Sequence, residues 1–440
     1  MASYVVASQE EQIAMLQLMG KEKIEDLFSH LPKEVLLDHP LALPKGKTEF
    51  EVMKQMEDIA AQNIIYQTMF RGAGAYRHYI PTVVNHLASR GEFVTAYTPY
   101  QAEMAQGLLQ TIFEYQTMIC DLTGLFASNA SVYDGATAAA EAISMCIDRK
   151  RQLVVIAESS NPGVKEVMET YCRSFGYPYQ ILPMKDGHCD MDALRGLLNE
   201  QVSCVYVEQL NYFGQIEDVK QIAALSKEAG VKVIMGCNPI ALAILPNAKE
   251  CGADIAVGEG QPMGLPLSFG GPYLGFMAAT EAMFRKLPGR IVGETTDHAG
   301  KRAFVLTLQA REQHIRREKA TSSICSNQSL CAIRASIYLA TVGPEGLAEI
   351  AQRCVDNAHY LQKQLTSLPG MTLRYANEYF HEFVTTCEVP AAQILEALER
   401  EGILGGLPLN EHDILWCATE VNTKKEMDRV YAVVKELIVC

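Results

Sequence analysis

The stretch QVSCVYVEQLNYFGQIEDVKQIAALSKEAGVKVIMGCNPI, residues 201–240, decides the fold class. Two short runs rich in β-branched and apolar residues, 204–207 and 231–235, flank a segment of helical pattern at 219–229 that stops at Gly230. A strand, a helical crossover and a second strand at this spacing make a parallel pair, because parallel strands need a long connection. Moving outward, runs of the same kind recur at 153–156, 255–257 and 274–277, with helix-like segments in most of the intervals. The expectation is an α/β domain on a large, mostly parallel sheet with helices on both faces.

Beyond residue 320 a long helical segment, 329–341, leads into a smaller αβ unit. Its expected strands are 372–375, 382–386 and 414–418, accompanied by helices at 391–401 and 424–439. At the other end, Thr48 and Glu51 form a capping box ahead of the apolar residues Phe50, Met53, Ile64 and Ile65. That pattern predicts a helix running to about Phe70 and stopping at Arg71-Gly72. The following RGAGAYRHYIP, residues 71–81, reads as an ordered loop. The chain therefore divides into a helical N-terminal extension (1–95), a large α/β domain (96–325) and a small C-terminal αβ domain (326–440). No internal repeat or low-complexity tract interrupts it.

Composition narrows the function classes. Lys and Arg number 38 against 52 Asp and Glu, a net charge of −14 that repels nucleic acid and anionic membrane alike. The 13 cysteines are scattered, with no Cys-x-x-Cys pair, and no His-Glu-x-x-His pattern occurs, so no metal site is expected. The cysteines read as small buried hydrophobes in a reducing compartment. The opening MASYVVASQEEQIAML lacks a basic segment followed by an apolar one, and the apolar stretch 231–245 is broken by Asn238 and Pro239. A cytoplasmic protein is the expectation.

Three segments carry chemical interest. In SVYDGATAAAEA, residues 131–142, Asp134 is placed to cap an Ala-rich helix and Gly135 permits a tight turn. A helix start of this kind often holds a phosphate, but the Asp134 carboxylate sits at that end and repels one. In VGEGQPMGLPLSFGGPYLGFMA, residues 257–278, a strand enters a turn full of Gly and Pro, which serves either a ligand or a tight connection. In REQHIRREKATSSICSNQSL, residues 311–330, the side chains of Arg311, His314, Arg316, Arg317 and Lys319 form a basic cluster, which is a solvated face or a site lining. Taken alone, these residues specify an α/β enzyme-like protein and no particular reaction.

Longer blocks carry a family resemblance. YVVASQEEQIAMLQLMG, the run from Glu92 to Ala142 with its YTPYQ-x-E-x-x-QG core, GLPLSFGGP, and the run from Pro288 to Leu330 with REQHIRR-x-KATS-x-IC together resemble the N-terminal half of glycine decarboxylase, the P-protein of the glycine cleavage system. The resemblance covers residue 4 to about 330, in order. It implies the aminotransferase-like fold of pyridoxal-phosphate enzymes (fold type I). It also implies the first subunit of a split enzyme, completed by a second subunit as a pseudo-symmetric pair. The implied reaction is decarboxylation of glycine on pyridoxal phosphate, with transfer of the aminomethyl group to the lipoyl arm of H-protein. T-protein and dihydrolipoamide dehydrogenase are the implied functional partners.

Carried over residue by residue, the resemblance implies that this chain does not hold the cofactor itself. Counting back from Gly270-Gly271-Pro272, the position of the cofactor lysine falls on Gln261, whose amide forms no imine. The acid facing the ring nitrogen would fall near Met235, where Ile234 and Gly236 serve no better, and the phosphate cup is replaced by Asp134-Gly135. Catalytic residues are therefore not expected in this chain, and the partner subunit is expected to bind the pyridoxal phosphate. Tyr97, Thr98, Tyr100 and Gln101 are candidates to reach across the interface, and 311–319 is a candidate route for H-protein or an interface ion-pair cluster. Two other readings compete. A self-sufficient homodimer would have to use Lys232, Lys249 or Lys286, and a non-catalytic scaffold would keep the fold alone.

Overall fold

The structure is a computed structural model that describes residues 6–37, 39–95, 99 and 101–439. Its contacts divide the chain into two compact units, Met1–Ile65 and Tyr66–Cys440.

In the first unit, helix α1 (Gln9–Leu18) starts on a capping box formed by Ser8 and Glu11. Helix α2 (Glu49–Ala60) starts on the expected one, with Thr48 Oγ1 accepting from the Glu51 amide and Glu51 accepting from the Thr48 amide. This helix ends ten residues short of the expected Phe70. Its last turn tightens as the Gln62 and Asn63 amides turn back to the carbonyls of Ile59 and Ala60, and the Asn63 side chain bonds Ala60 as well. Asn side chains compete for helix carbonyls in this way, and apolar periodicity alone does not register it. Within the second unit, residues Thr68–Met69 form a short strand paired in parallel with Ile403–Leu404.

The second unit is built on a seven-stranded sheet. Its strands are β1 (Ala127–Ser128), β2 (Leu153–Ala157), β3 (Tyr179–Leu182), β4 (Val202–Glu208), β5 (Lys232–Cys237), β6 (Ile255–Glu259) and β7 (Gly275–Ala279). They lie in the order β1-β7-β6-β5-β4-β2-β3, with β7 antiparallel to both its neighbours and the other pairs parallel. Alternation along each strand splits the core in two. Val155, Val205, Val207, Val233 and Met235 face one side, while Ile156, Cys204, Tyr206, Ile234 and Val257 face the other. Helix α3 (Gln106–Thr123) packs on the first side, and α4 (Gly135–Cys146) on the second. Both faces being covered is why these strands read as unbroken apolar runs in the sequence.

Helix α5 (Val219–Glu228) is the crossover between β4 and β5, and Gly230 follows it at φ +67°. Helix α6 (Ser329–Leu365) then links the large sheet to a smaller one, with residues of its first part in the large core and Ala358, Leu361 and Leu365 in the small-sheet core. It is broken at Gly343, which leaves the helical region ahead of Pro344, so the first segment ends about where expected. The smaller sheet is antiparallel, with β8 (Met371–Leu373), β9 (Glu382–Cys387), β10 (Leu407–Pro408) and β11 (Asp413–Cys417) in the order β8-β9-β11-β10. Helices α7 (Ala391–Arg400) and α8 (Lys424–Val439) accompany it. An antiparallel hairpin, Ile291–Thr296 with Arg302–Thr307, was not legible from the sequence.

No disulfide joins the cysteines among the described residues, and ten of these cysteines are buried. No helix among the described residues is long and apolar enough to cross a membrane.

Candidate functional site

A cavity of about 390 Å³ opens at the carboxyl ends of β4, β5 and β6. Open α/β sheets place ligand crevices at this edge. Its walls come from Tyr206 and Glu208 at the end of β4, Gly236 to Pro239 at and just beyond the end of β5, and Gly258 and Glu259 at the end of β6. Asp134 and Gly135 at the start of α4, the loop 72–76, Asn161, Tyr273 and Glu382 of β9 also line it. None of these lining residues is a lysine or arginine.

Three glutamates dominate the chemistry. Glu208 accepts from the Asn161 amide at 2.9 Å and from the Tyr206 hydroxyl at 3.1 Å. Glu259 accepts from the amides of Gly135, Gln261 and Leu274, each at 2.9 Å. Glu382 accepts from the Ala73 amide at 2.6 Å and from the Tyr76 hydroxyl at 2.7 Å. Burial pushes all three carboxyls up to about 7, and the donors named above oppose that rise without cancelling it. The Glu382 charge raises Glu208 further, and Asp134 raises Glu259. The same burial, with Glu382 and Glu208 alongside, holds the hydroxyls of Tyr76 and Tyr206 well above their ordinary range.

Glycine makes two of these approaches feasible. A Cβ on Gly135 would lie 2.9 Å from the Glu259 nitrogen and 3.0 Å from its Cβ. A Cβ on Gly72 would meet the side chains of Glu382 and Tyr76 at similarly forbidden separations. The loop 71–81, expected to be ordered, is fastened there by Glu382, by Asn161 Nδ2 donating to the Ala73 carbonyl at 3.1 Å, and by Gln261.

Gln261 is 1% exposed, and its amide is fully used. Its Oε1 accepts from the Tyr76 amide at 2.9 Å, while Nε2 donates to the carbonyls of Tyr76 at 2.9 Å and Leu265 at 2.8 Å. Met235 is completely buried in β5 and Ile234 faces the opposite side of the sheet, so of the three only Gly236 reaches the cavity. Asp134 caps α4, with Oδ1 accepting from the Thr137 amide at 2.7 Å and its carbonyl from Ala138 at 2.9 Å.

The lysines that a self-sufficient site would need lie elsewhere. Lys232 pairs with Asp254 at 2.8 Å at the start of β5, Lys286 donates to the Met145 carbonyl, and Lys249 sits in the short helix Ala248–Cys251. The basic segment does not form one face. Arg311 turns inward, donating to the carbonyls of Leu287 and Gly289, and burial lowers its guanidinium to about 10. His314, Arg316, Arg317 and Lys319 are exposed. Glu312, between them, is buried in an ion pair with Arg290. Tyr97, Thr98 and Tyr100 lie outside the described residues, and Gln101 is exposed.

The three glutamates escaped the sequence reading. The available signal was a carboxylate closing an otherwise apolar run, at Glu208 in Val202–Glu208 and at Glu259 in Ile255–Glu259.

The family profile described as "Glycine cleavage system P-protein" matches residues 2–434. A Moorella thermoacetica protein named "Probable glycine dehydrogenase (decarboxylating) subunit 1" is 46% identical over 99% of this chain and 100% of its own length. A protein of the same name from Chlorobium limicola is 44% identical over 97% of this chain and 98% of its own. A crystal structure of a glycine decarboxylase (P-protein) in inhibitor-bound form superposes with a TM-score of 0.92, at 40% identity, covering 99% of this chain and 100% of that one. A Burkholderia pseudomallei sphingosine-1-phosphate lyase shares the fold at 13% identity, with a TM-score of 0.68 and coverage of 92% and 93%. The fold is accordingly α/β, of the type I pyridoxal-phosphate class.

Proposed function

The chain belongs to the glycine cleavage system P-protein family, and from that premise we propose that it is the first subunit of a glycine decarboxylase divided over two chains. In this reading glycine is decarboxylated with pyridoxal phosphate held by the second subunit. The aminomethyl group passes to the lipoyl group of H-protein, and T-protein and dihydrolipoamide dehydrogenase complete the cycle. The protein works in the cytoplasm.

One observation carries the assignment of the cofactor to the partner. The two places at which this chain would anchor pyridoxal phosphate, the phosphate seat and the lysine position, contain its own side chains. Glu259 takes the Gly135 amide and Asp134 the Thr137 amide at the start of α4, and Gln261 stands at the lysine position with its amide committed to Tyr76 and Leu265. Among the described residues, no lysine or arginine lines the cavity to balance a phosphate charge. These residues do not fit the cofactor, whose chemistry needs an imine-forming lysine and a seat for its phosphate.

The retained polar motif has a separate role in the proposal. Tyr97, Thr98, Tyr100 and Gln101 reach across the subunit interface to position groups in the partner's site, and the exposed His314, Arg316, Arg317 and Lys319 face acidic H-protein.

Reconstitution tests the reading. The chain alone, given pyridoxal phosphate, is expected to show no aldimine absorbance, and mixing with the second subunit is expected to yield a stable complex that decarboxylates glycine. A borohydride-reducible adduct mapped to this chain, or two chains that stay apart at micromolar concentration in gel filtration, overturns it. In the assembled enzyme, Tyr100→Phe and Gln101→Ala are expected to lower turnover on the order of 10²-fold with assembly intact. Unchanged turnover in an intact complex removes the cross-interface role.

A further inference from the structure

We propose that the Glu259 carboxylate is a built-in substitute for a cofactor phosphate, and that with Asp134 it is what bars a phosphate-bearing molecule from this chain. The inference deepens the reading above, and rests on it only for the identity of the excluded ligand.

Three backbone amides from three separate elements converge on this one side chain. The Gly135 amide belongs to the first turn of α4, Gln261 to the turn after β6, and Leu274 to the entry of β7, and each donates at 2.9 Å. A buried ring of backbone N–H groups at the start of a helix is the arrangement that seats phosphates. Here a carboxylate supplied from the end of β6 occupies the seat. Gly135 lets it come so close, because any Cβ there would strike Glu259 itself.

Asp134 then claims the Thr137 amide and, through its carbonyl, the Ala138 amide. A phosphate approaching α4 meets two carboxylates and finds the Gly135 and Thr137 amides taken by side chains, while the Ala138 amide makes the ordinary helical bond. The loss of the cofactor in this chain therefore runs deeper than an absent lysine. A lysine restored at 261 leaves the anion seat filled.

Inorganic phosphate is the direct probe, applied to the full-length chain. Glu259→Ala removes the acceptor of three amides and is expected to lower Tm. Phosphate, compared with chloride at equal ionic strength, is expected to restore part of that loss in Glu259→Ala and to leave the wild type unmoved. Adding Asp134→Ser is expected to tighten phosphate binding about tenfold, since it removes a charge from the same helix end.

Gln261→Lys alone is expected to acquire no borohydride-reducible pyridoxal phosphate, whereas the triple variant Asp134→Ser/Glu259→Ala/Gln261→Lys acquires it. If Glu259→Ala folds only in phosphate, the expectation is met. If it folds in neither buffer, Glu259→Ser, which keeps one acceptor, is read in the same way. An equal phosphate response in wild type and variants, no response in any folded variant, or an adduct on Gln261→Lys alone overturns the proposal. None of these measurements involves the second subunit, so a failed reconstitution and a failed phosphate response are separate results.

Discussion

The cavity at the ends of β4, β5 and β6 and the basic segment 311–319 both concentrate charge, and they dispose of it in opposite ways. In the cavity Glu382 is buried and Glu208 and Glu259 are half-buried, and each is held by backbone amides or tyrosine hydroxyls of the same chain. Along 311–319 Arg311 and Glu312 turn inward, and His314, Arg316, Arg317 and Lys319 remain exposed. Charge spent internally fixes the fold, whereas exposed charge is available to a second molecule. The conventional location for a ligand in this fold is the crevice, yet here the crevice is the self-satisfied region.

Substitutions that pull the two regions apart make the contrast measurable. The largest effect is expected at Glu259. Alanine there strands three buried amides and should cost on the order of 3 kcal/mol in chemical denaturation. A loss below about 0.5 kcal/mol would mean that the convergence on Glu259 carries no weight. Next comes Gln261→Lys, which removes the acceptor of the Tyr76 amide and buries an ammonium, with an expected loss of about 2 kcal/mol. Unchanged stability there would show that the 72–76 loop is held by Glu382 and Asn161 alone.

The third effect is a pH dependence. Burial raises the carboxyls of Glu208, Glu259 and Glu382 from 4.5 to about 7. Between those values the folded chain holds protons that the unfolded chain has released, so their contribution to stability is complete below about 4.5 and fades as pH rises to about 7. Glu382→Gln keeps an acceptor for the Ala73 amide and a partner for the Tyr76 hydroxyl. It should flatten this slope, gaining on the wild type at pH 7.5 relative to pH 5, as read by urea unfolding at both. An identical slope would place the titration elsewhere.

The smallest effects belong to the basic segment. Arg316→Ala, Arg317→Ala and Lys319→Ala should stay within about 0.5 kcal/mol of the wild type, while Arg311→Ala should lose roughly 1–2 kcal/mol with its two carbonyl bonds. A large loss at the exposed positions would make the segment structural and remove it as a docking face.

How much of this was legible in the sequence follows from what each feature depends on. The five strands expected between 153 and 277 are present within a residue or two at each end, because doubly buried strands announce themselves as apolar runs. The direction of β7 was not readable, since a run says nothing of its neighbour's sense. Helix α2 was overdrawn because Ile64 and Ile65 continue the period beyond the turn that Gln62 and Asn63 close. At the site, Gln261 could be located by counting from the Gly270-Gly271-Pro272 turn, and Asp134 by its place as a cap ahead of Gly135 and an Ala-rich helix. The glutamates could not, because Glu208, Glu259 and Glu382 come from distant segments and become neighbours only when the two sheets meet over the 72–76 loop.

The burial of the thiols gives this protein a clock for its own opening. Burial pushes Cys189 and Cys237 far above the range in which a thiol reacts at neutral pH, and raises Cys120 and Cys331 to about 11. An alkylating reagent reads a thiol only when it is both exposed and deprotonated. In the native chain Cys325, which is partly exposed, should therefore label ahead of Cys120, which is also partly exposed but whose thiol burial holds up. Cys204 and Cys237 sit in the large sheet, whereas Cys387 and Cys417 sit in the small one. The order in which these two pairs become reactive under mild denaturant reports, residue by residue, which sheet lets water in first.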